Sequence, residues 1–250
     1  MIHKPVLVKE VLEYLDPKPN ENFVDGTVGQ GGHTKLLLER IAPEGRVLGI
    51  DLDQQQVENA KKELESFGQR IILVHDSYAN VDSIVRQTNV KPINGILLDV
   101  GYSSWQIEES QKGFSFQKDE MLDMRYSLEN PLTAQIIVNE YSAQDLEKIL
   151  EGYGEEKYAR QIAKKIVETR NHQVIKSTFQ LKEIIESAVP ARREKIHPAT
   201  RSFQALRIAV NGALDNLQNA LPNAYSVLAS GGRLAIIPLH SLEGRIVKKF

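Results

Sequence analysis

Two short stretches carry residues able to do chemistry. The first is FVDGTVGQGGHTKLLLER, Phe23 to Arg40, where four glycines and a histidine fall within eight residues between an apolar run and a helix-like pattern. Glycine has the most freedom to lose on folding, so it is used where the backbone needs a positive φ or where a group must approach the main chain closely. Gly29, Gly31 and Gly32 would let a ligand lie against the backbone. The start of the helix behind them, at His33, would offer unpaired N–H groups to a carboxylate or phosphate. A dinucleotide-type G-x-G-x-x-G pattern counted from Gly29 would need glycine at 34, where Thr34 stands instead. Asp51 follows Gly31 by 20 residues, at the end of RVLGIDLD. An acid there accepts hydrogen bonds from ribose hydroxyls. The pair of features points to a nucleoside ligand and leaves NAD and S-adenosylmethionine both open.

The second stretch is GILLDVGYSSWQ, in which Asp99 and Tyr102 have the spacing of an acid, two intervening residues and an aromatic. Enzymes that methylate exocyclic amines of bases use that arrangement. The amino nitrogen of cytosine or adenine delocalises its lone pair into the ring. Acceptors that bond its hydrogens favour a pyramidal nitrogen and free the lone pair, while an aromatic stacks the flipped base. Alone the spacing is also that of an ordinary strand-end turn. Arg192, Arg193, Lys195, His197 and Arg201 cluster in ARREKIHPATR, a basic loop suited to RNA phosphates or simply to solvent.

The elements that must position these residues alternate. NFVD, RVLGIDLD, RIILVHD and INGILLDVG read as strands, separated by helical patterns at HTKLLLERI, QQQVENAKKELESFG and ANVDSIVRQTN. Alternation of this kind implies βαβ units and a parallel sheet with helices on both faces. Continuous apolar runs suit strands buried on both faces. The rhythm breaks after Ser104. A polar stretch without period runs to about Pro131, and from Thr133 to Ala188 the pattern is helical, with Tyr158, Ile162 and Ile166 on one stripe. TRSFQALRIAVNGALDNLQNAL (200–221) is expected to be one long helix with Phe203, Leu206, Val210, Leu214, Leu217 and Leu221 on one face, and the strand pattern returns at GGRLAIIPLH (231–240). The expected fold class is α/β, with a core from residues 1–104 and 200–250 and a helical subdomain inserted at 105–199.

Lys plus Arg number 31 and Asp plus Glu 33 in 250 residues, so a nucleic-acid partner would need a local patch. With no cysteine, thiolate metal sites, disulfides and a cysteine nucleophile are excluded. The six histidines show no metal-ligand spacing, so no metal is expected. No apolar run approaches the roughly 20 residues needed to span a bilayer, and a cytoplasmic protein is expected.

Beyond these features the chain resembles a known family over essentially its whole length. HKPVL, DGTVGQGGH, GIDLD, GILLDVGYSSWQ, KGFSFQKDEMLDMRY, YGEEKYARQIAKKI, KIHPATRSFQALRIAVN and HSLEGRIVKKF occur in the order seen in the bacterial ribosomal RNA small subunit methyltransferase H family. The resemblance implies a class I, Rossmann-like S-adenosylmethionine-dependent methyltransferase core with an inserted all-helical subdomain for substrate recognition. It implies N4-methylation of a cytidine in 16S ribosomal RNA, at the decoding centre of the small (30S) subunit. It assigns Gly31, Gly32, His33, Asp51, Tyr78, Asp99 and Gln106 to the cofactor, so that Asp99 serves the cofactor by resemblance and the target amine by its chemistry. Trp105, Leu239 and Gly244 stand where the family commonly has proline, phenylalanine and aspartate. Family members also continue beyond KKF, which leads to the expectation that the last strands of the sheet are missing and that Leu234, Ile236 and Leu239 line an open edge. Two rivals remain: an NAD-dependent oxidoreductase, disfavoured by Thr34 and by the D-V-G-Y strand end, and an RNA- and cofactor-binding protein without turnover.

Overall fold

The computed structural model describes residues 5–190 and 196–250, which form two compact units. The first comprises the chain up to Gly101 together with Leu214–Phe250, and the second Tyr102–Ala213.

In the first unit, α1 (Val8–Leu15) precedes β1 (Phe23–Asp25), α2 (Gly32–Arg40), β2 (Val47–Asp51), α3 (Gln54–Glu63), β3 (Ile71–His75), α4 (Val81–Thr88) and β4 (Ile93–Asp99). The strands pair in parallel in the order β3-β2-β1-β4, and a fifth strand, Leu228–Ile237, pairs in parallel with β4. The apolar runs alternate between two faces. Phe23, Val47 and Leu97 pack with Val11, Leu15, Leu37, Leu38 and Ala60, from α1, α2 and α3, and with Leu64 just after α3. Val24, Leu48, Ile50, Ile96 and Leu98 pack on the other face with Ile84 and Val85 of α4 and with Leu217, Leu221 and Ala224. The sheet is therefore wound in two directions, and the reversal falls between β1 and β4. In open α/β sheets ligands bind outside the carboxyl ends of the strands at such a switch point.

The second unit holds α5 (Ser104–Glu108), α6 (Ala134–Glu140), α7 (Ala143–Gly154), α8 (Ala159–Arg170), α9 (Thr178–Ala188) and α10 (Ala199–Asn211). Its core is Ile137, Val138, Leu146, Leu150, Ile162, Ile166, Leu181, Ile185, Phe203, Leu206 and Val210. The unperiodic stretch before α6 is held to this core by polar side chains. Asn211 Oδ1 accepts the Tyr126 N–H at 2.8 Å, Asn211 Nδ2 donates to Met124 O at 2.8 Å, and Asn130 Nδ2 donates to Val210 O at 2.6 Å.

The chain returns to the first unit through α11 (Ala213–Val227), β5 (Leu228–Ile237) and α12 (Ser241–Lys249). The expected helix over 200–221 is two helices. Gly212 has φ 56° and its N–H caps Ile208 O, ending α10, and α11 starts at the next residue. Phe203, Leu206 and Val210 serve the core of the second unit, while Leu217 and Leu221 serve the sheet. The division falls after Ala213, so α10 lies with the helical unit and not with the core that the expected boundary near 200 gave it. The last strand also lies earlier than expected, at 228–237 against 231–240. Leu234 and Ile236 pack against the sheet core, whereas Leu239 lies beyond the strand and is exposed. No helix among the described residues is long and apolar enough to cross a membrane.

Candidate active site

The loop after β1 spans the switch point and is stitched to both neighbouring strands. Gly26 N–H donates to Leu97 O of β4 at 2.9 Å, and Val28 N–H donates to Ile50 O of β2 at 2.9 Å. Gly29 and Gly31 have φ 52° and 86°, a left-handed conformation that L side chains adopt at a cost. Gly31 is the residue before α2, which has no side-chain cap, so the first turn of α2 keeps N–H groups for a ligand. A Cβ on Gly26 would run into Leu98 Cδ2 and sit 3.0 Å from Tyr78 Cβ, so glycine here lets the loop close against the β3 end.

Asp51 ends β2 and is half-buried. Its carboxylate accepts Gly29 N–H and Asp53 N–H, each at 2.9 Å. Burial pushes its carboxyl up to about 7, against the pull of those two donors. Tyr78 opens a 3-10 turn after β3, and burial raises its phenol above the ordinary value, with the Glu243 carboxylate adding to the effect. Asp99 ends β4. Its backbone N–H donates to Thr27 Oγ1 at 2.8 Å, and its carboxylate, about a third exposed, has Oδ2 3.7 Å from His33 Nε2. The imidazole of His33 is buried and its Nε2 has no hydrogen-bond partner. Gly29, Gly31, Gly32, His33, Asp51, Tyr78 and Asp99 thus gather at the carboxyl ends of β1 to β4, within the first unit.

Three residues that the sequence reading did not select support this site. Asp25, fully buried at the end of β1, accepts Thr34 Oγ1 at 2.6 Å and Thr27 N–H at 3.2 Å, and burial raises its pKa. Thr34, which breaks the dinucleotide pattern, is therefore the donor to a buried acid. Thr27 joins the β1 loop to Asp99. The signal that could have found them is the mismatch itself: a small hydroxyl residue one turn into a helix whose strand ends in a buried acid.

The remaining predicted residues lie in the second unit. Gln106 is buried on α5, and its Oε1 accepts Ser103 N–H at 2.8 Å in a capping box. Tyr102 lies under a guanidinium, with Arg207 Cζ 4.3 Å from its ring centroid. Trp105 is half-buried. His197 stacks on Phe116 with centroids 4.5 Å apart, its Nε2 is 3.0 Å from Glu186 Oε1, and its Nδ1 accepts Ala199 N–H, so its ring is spent on the scaffold. Arg201 lies on α10, half-buried. Arg192, Arg193 and Lys195 lie outside the described residues.

The model of the MraW methylase family matches residues 1–250. The chain belongs to that family. A ribosomal RNA small subunit methyltransferase H of Syntrophotalea carbinolica is 47% identical over 250 residues, covering 99% of this chain and 80% of the relative. The same-named protein of Halothermothrix orenii is 45% identical over 249 residues, with 99% and 80% coverage. That of Geobacter sulfurreducens is 45% identical over 248 residues, with 98% and 80% coverage. The resemblance read from the motifs is thus shown over the length of the chain. In this methylase-family chain two carboxylates, Asp51 and Asp99, end the strands that flank β1, with the glycine loop between them.

Proposed function

We propose that the chain transfers a methyl group from S-adenosylmethionine to N4 of a cytidine in 16S ribosomal RNA, at the decoding centre of the small subunit, in the cytoplasm. The observation that carries this reading is the pair of carboxylates, Asp51 and Asp99, at the ends of β2 and β4 on either side of the β1 glycine loop. Two features fit a nucleoside-bearing donor. The first turn of α2 has no side-chain cap, and His33 Nε2 is buried without a hydrogen-bond partner beside Asp99. The names of the relatives support ribosomal RNA as the substrate.

Asp51 accepts the ribose hydroxyls with the lone pairs that Gly29 and Asp53 leave open. Gly31, Gly32 and the first turn of α2, including His33, take the carboxylate end, and Tyr78 covers the adenine. Gln106 is the further cofactor residue in this reading. When bound, S-adenosylmethionine supplies a methyl group activated by its sulfonium. Asp99 accepts hydrogen bonds from the target amine and receives the proton that the nitrogen sheds. Positioning of this kind supplies much of the acceleration. Tyr102 stacks the base. The helical unit recognises the substrate, with Arg192, Arg193, Lys195 and Arg201 as the basic residues that meet its phosphates.

The test is incubation with S-adenosylmethionine and 30S subunits lacking the modification, followed by mass mapping of the 16S RNA nucleosides. The expected result is N4-methylcytidine at a single decoding-centre position. Methylation of another atom, or none, would reject the reading.

A further inference from the structure

Arg207 is a buried cation without an acid. It is 9% exposed on α10, and among the described residues no carboxylate pairs with it. Its Nη1 donates to Phe114 O at 2.6 Å, and its guanidinium lies 4.3 Å from the Tyr102 centroid. Burial lowers its pKa, partly offset by Tyr102 and Tyr126. A guanidinium has five N–H donors, and one hydrogen bond leaves most of them unspent. Among the described residues the other N–H groups of Arg207 make no hydrogen bond.

Holding a charge away from water without a counter-charge is costly, and buried charges are ordinarily paired. Stacking on Tyr102 recovers a part of that cost. Phe114 stacks on Tyr126 at 5.5 Å and Asn211 pins the Tyr126 N–H, so the surroundings of Arg207 are fixed in advance. A guanidinium braced over an aromatic ring, with N–H donors unspent, is suited to bidentate capture of a phosphate.

We propose that Arg207, braced by Tyr102 and Phe114 O, is an anion subsite that takes a phosphodiester of the substrate RNA strand. This rests on the reading of the chain as an RNA methyltransferase and deepens it. The guanidinium lies over the Tyr102 ring, the ring that the proposed function gives to the base. One arginine–tyrosine pair would then hold both the phosphate and the base of a single strand.

The experiment measures binding to 30S subunits across a salt series for the parent chain, R207M and R207K, with S-adenosylhomocysteine affinity and circular dichroism as controls. Neutralising one phosphate contributes a salt slope of about one unit. R207M is expected to lower the slope by about one and to leave cofactor affinity unchanged. An unchanged slope in folded R207M, or a loss confined to S-adenosylhomocysteine affinity, overturns the subsite. Where R207M does not fold, R207K decides. It keeps the charge but not the fork, so the slope should hold while affinity weakens roughly tenfold, and unchanged affinity overturns the proposal. If the parent chain neither binds nor methylates 30S subunits, the RNA reading itself fails, an outcome distinct from a parent that works with a variant that does not respond.

Discussion

Asp51 and Gly29, on either side of the β1–β2 edge, are joined by a 2.9 Å hydrogen bond from the glycine N–H to the acid. In the proposed function this side chain receives ribose hydroxyls, and it also fixes the loop that would receive the rest of the ligand. Removing it should act twice. Asp51→Ala deletes charge-assisted bonds worth roughly 1.5–3 kcal/mol each. Affinity for S-adenosylmethionine, measured by calorimetry, is expected to fall at least about tenfold with the fold retained. An unchanged affinity would remove Asp51 from the cofactor site.

The same carboxyl gives a pH dependence. Its folded pKa of about 7 lies above its ordinary value of 3.8. The folded protein therefore favours the protonated acid. That contribution to stability is full below about 4 and is lost as pH rises through 7. Asp51→Asn lacks it, so the parent should lose stability relative to the variant between pH 4 and 7 in thermal melts. Ligand affinity should move the other way, rising as the carboxylate forms, and should be flat in Asp51→Asn. Parallel pH profiles for the two proteins would contradict this.

Asp99 is expected to matter more to chemistry than to folding, because its carboxylate is partly exposed and its backbone, not its side chain, makes the bond to Thr27. Asp99→Ala should slow single-turnover methyl transfer by at least about a hundredfold at saturating S-adenosylmethionine, the scale of general acid–base contributions. A near-normal rate would leave Asp99 as a cofactor contact only.

Thr34→Val keeps the shape of the side chain but takes from Asp25, a fully buried acid, its one side-chain donor among the described residues. Leaving a buried polar group unsatisfied costs about 1–3 kcal/mol. Denaturant titration should show that loss, and Thr34→Ser should restore most of it. Equal stability of the three proteins would mean that the bond contributes nothing.

Gly212 separates the two helices with φ 56°, and a Cβ there meets open space. The cost of Gly212→Ala is thus conformational, about 1 kcal/mol, and Gly212→Asn should cost less. A stabilising alanine would show that α10 and α11 can straighten into the single helix that their spacing suggests.

Much of the fold can be read from order and period alone. Strand and helix patterns alternate up to Asp99, and period-two apolar residues such as Phe23 and Val24 must face opposite ways wherever both faces are covered. The glycine loop, Asp51 and Asp99 are legible because chemistry limits what can stand at a strand end beside a ligand. Tertiary structure decided the rest, since periodicity tells which face of a helix is buried but not against what. Val210 and Leu214 keep helical spacing across Gly212, yet Val210 packs with the helical unit and Leu217, on the same stripe, with the sheet. Thr34 read as a missing glycine until Asp25 met its hydroxyl, and His197 read as a surface cation until Phe116 and Glu186 took its ring. Arg207 has no role that the sequence by itself assigns. Its partners, Tyr102 and Phe114, are more than ninety residues earlier in the chain, and only folding brings such distant groups to one place.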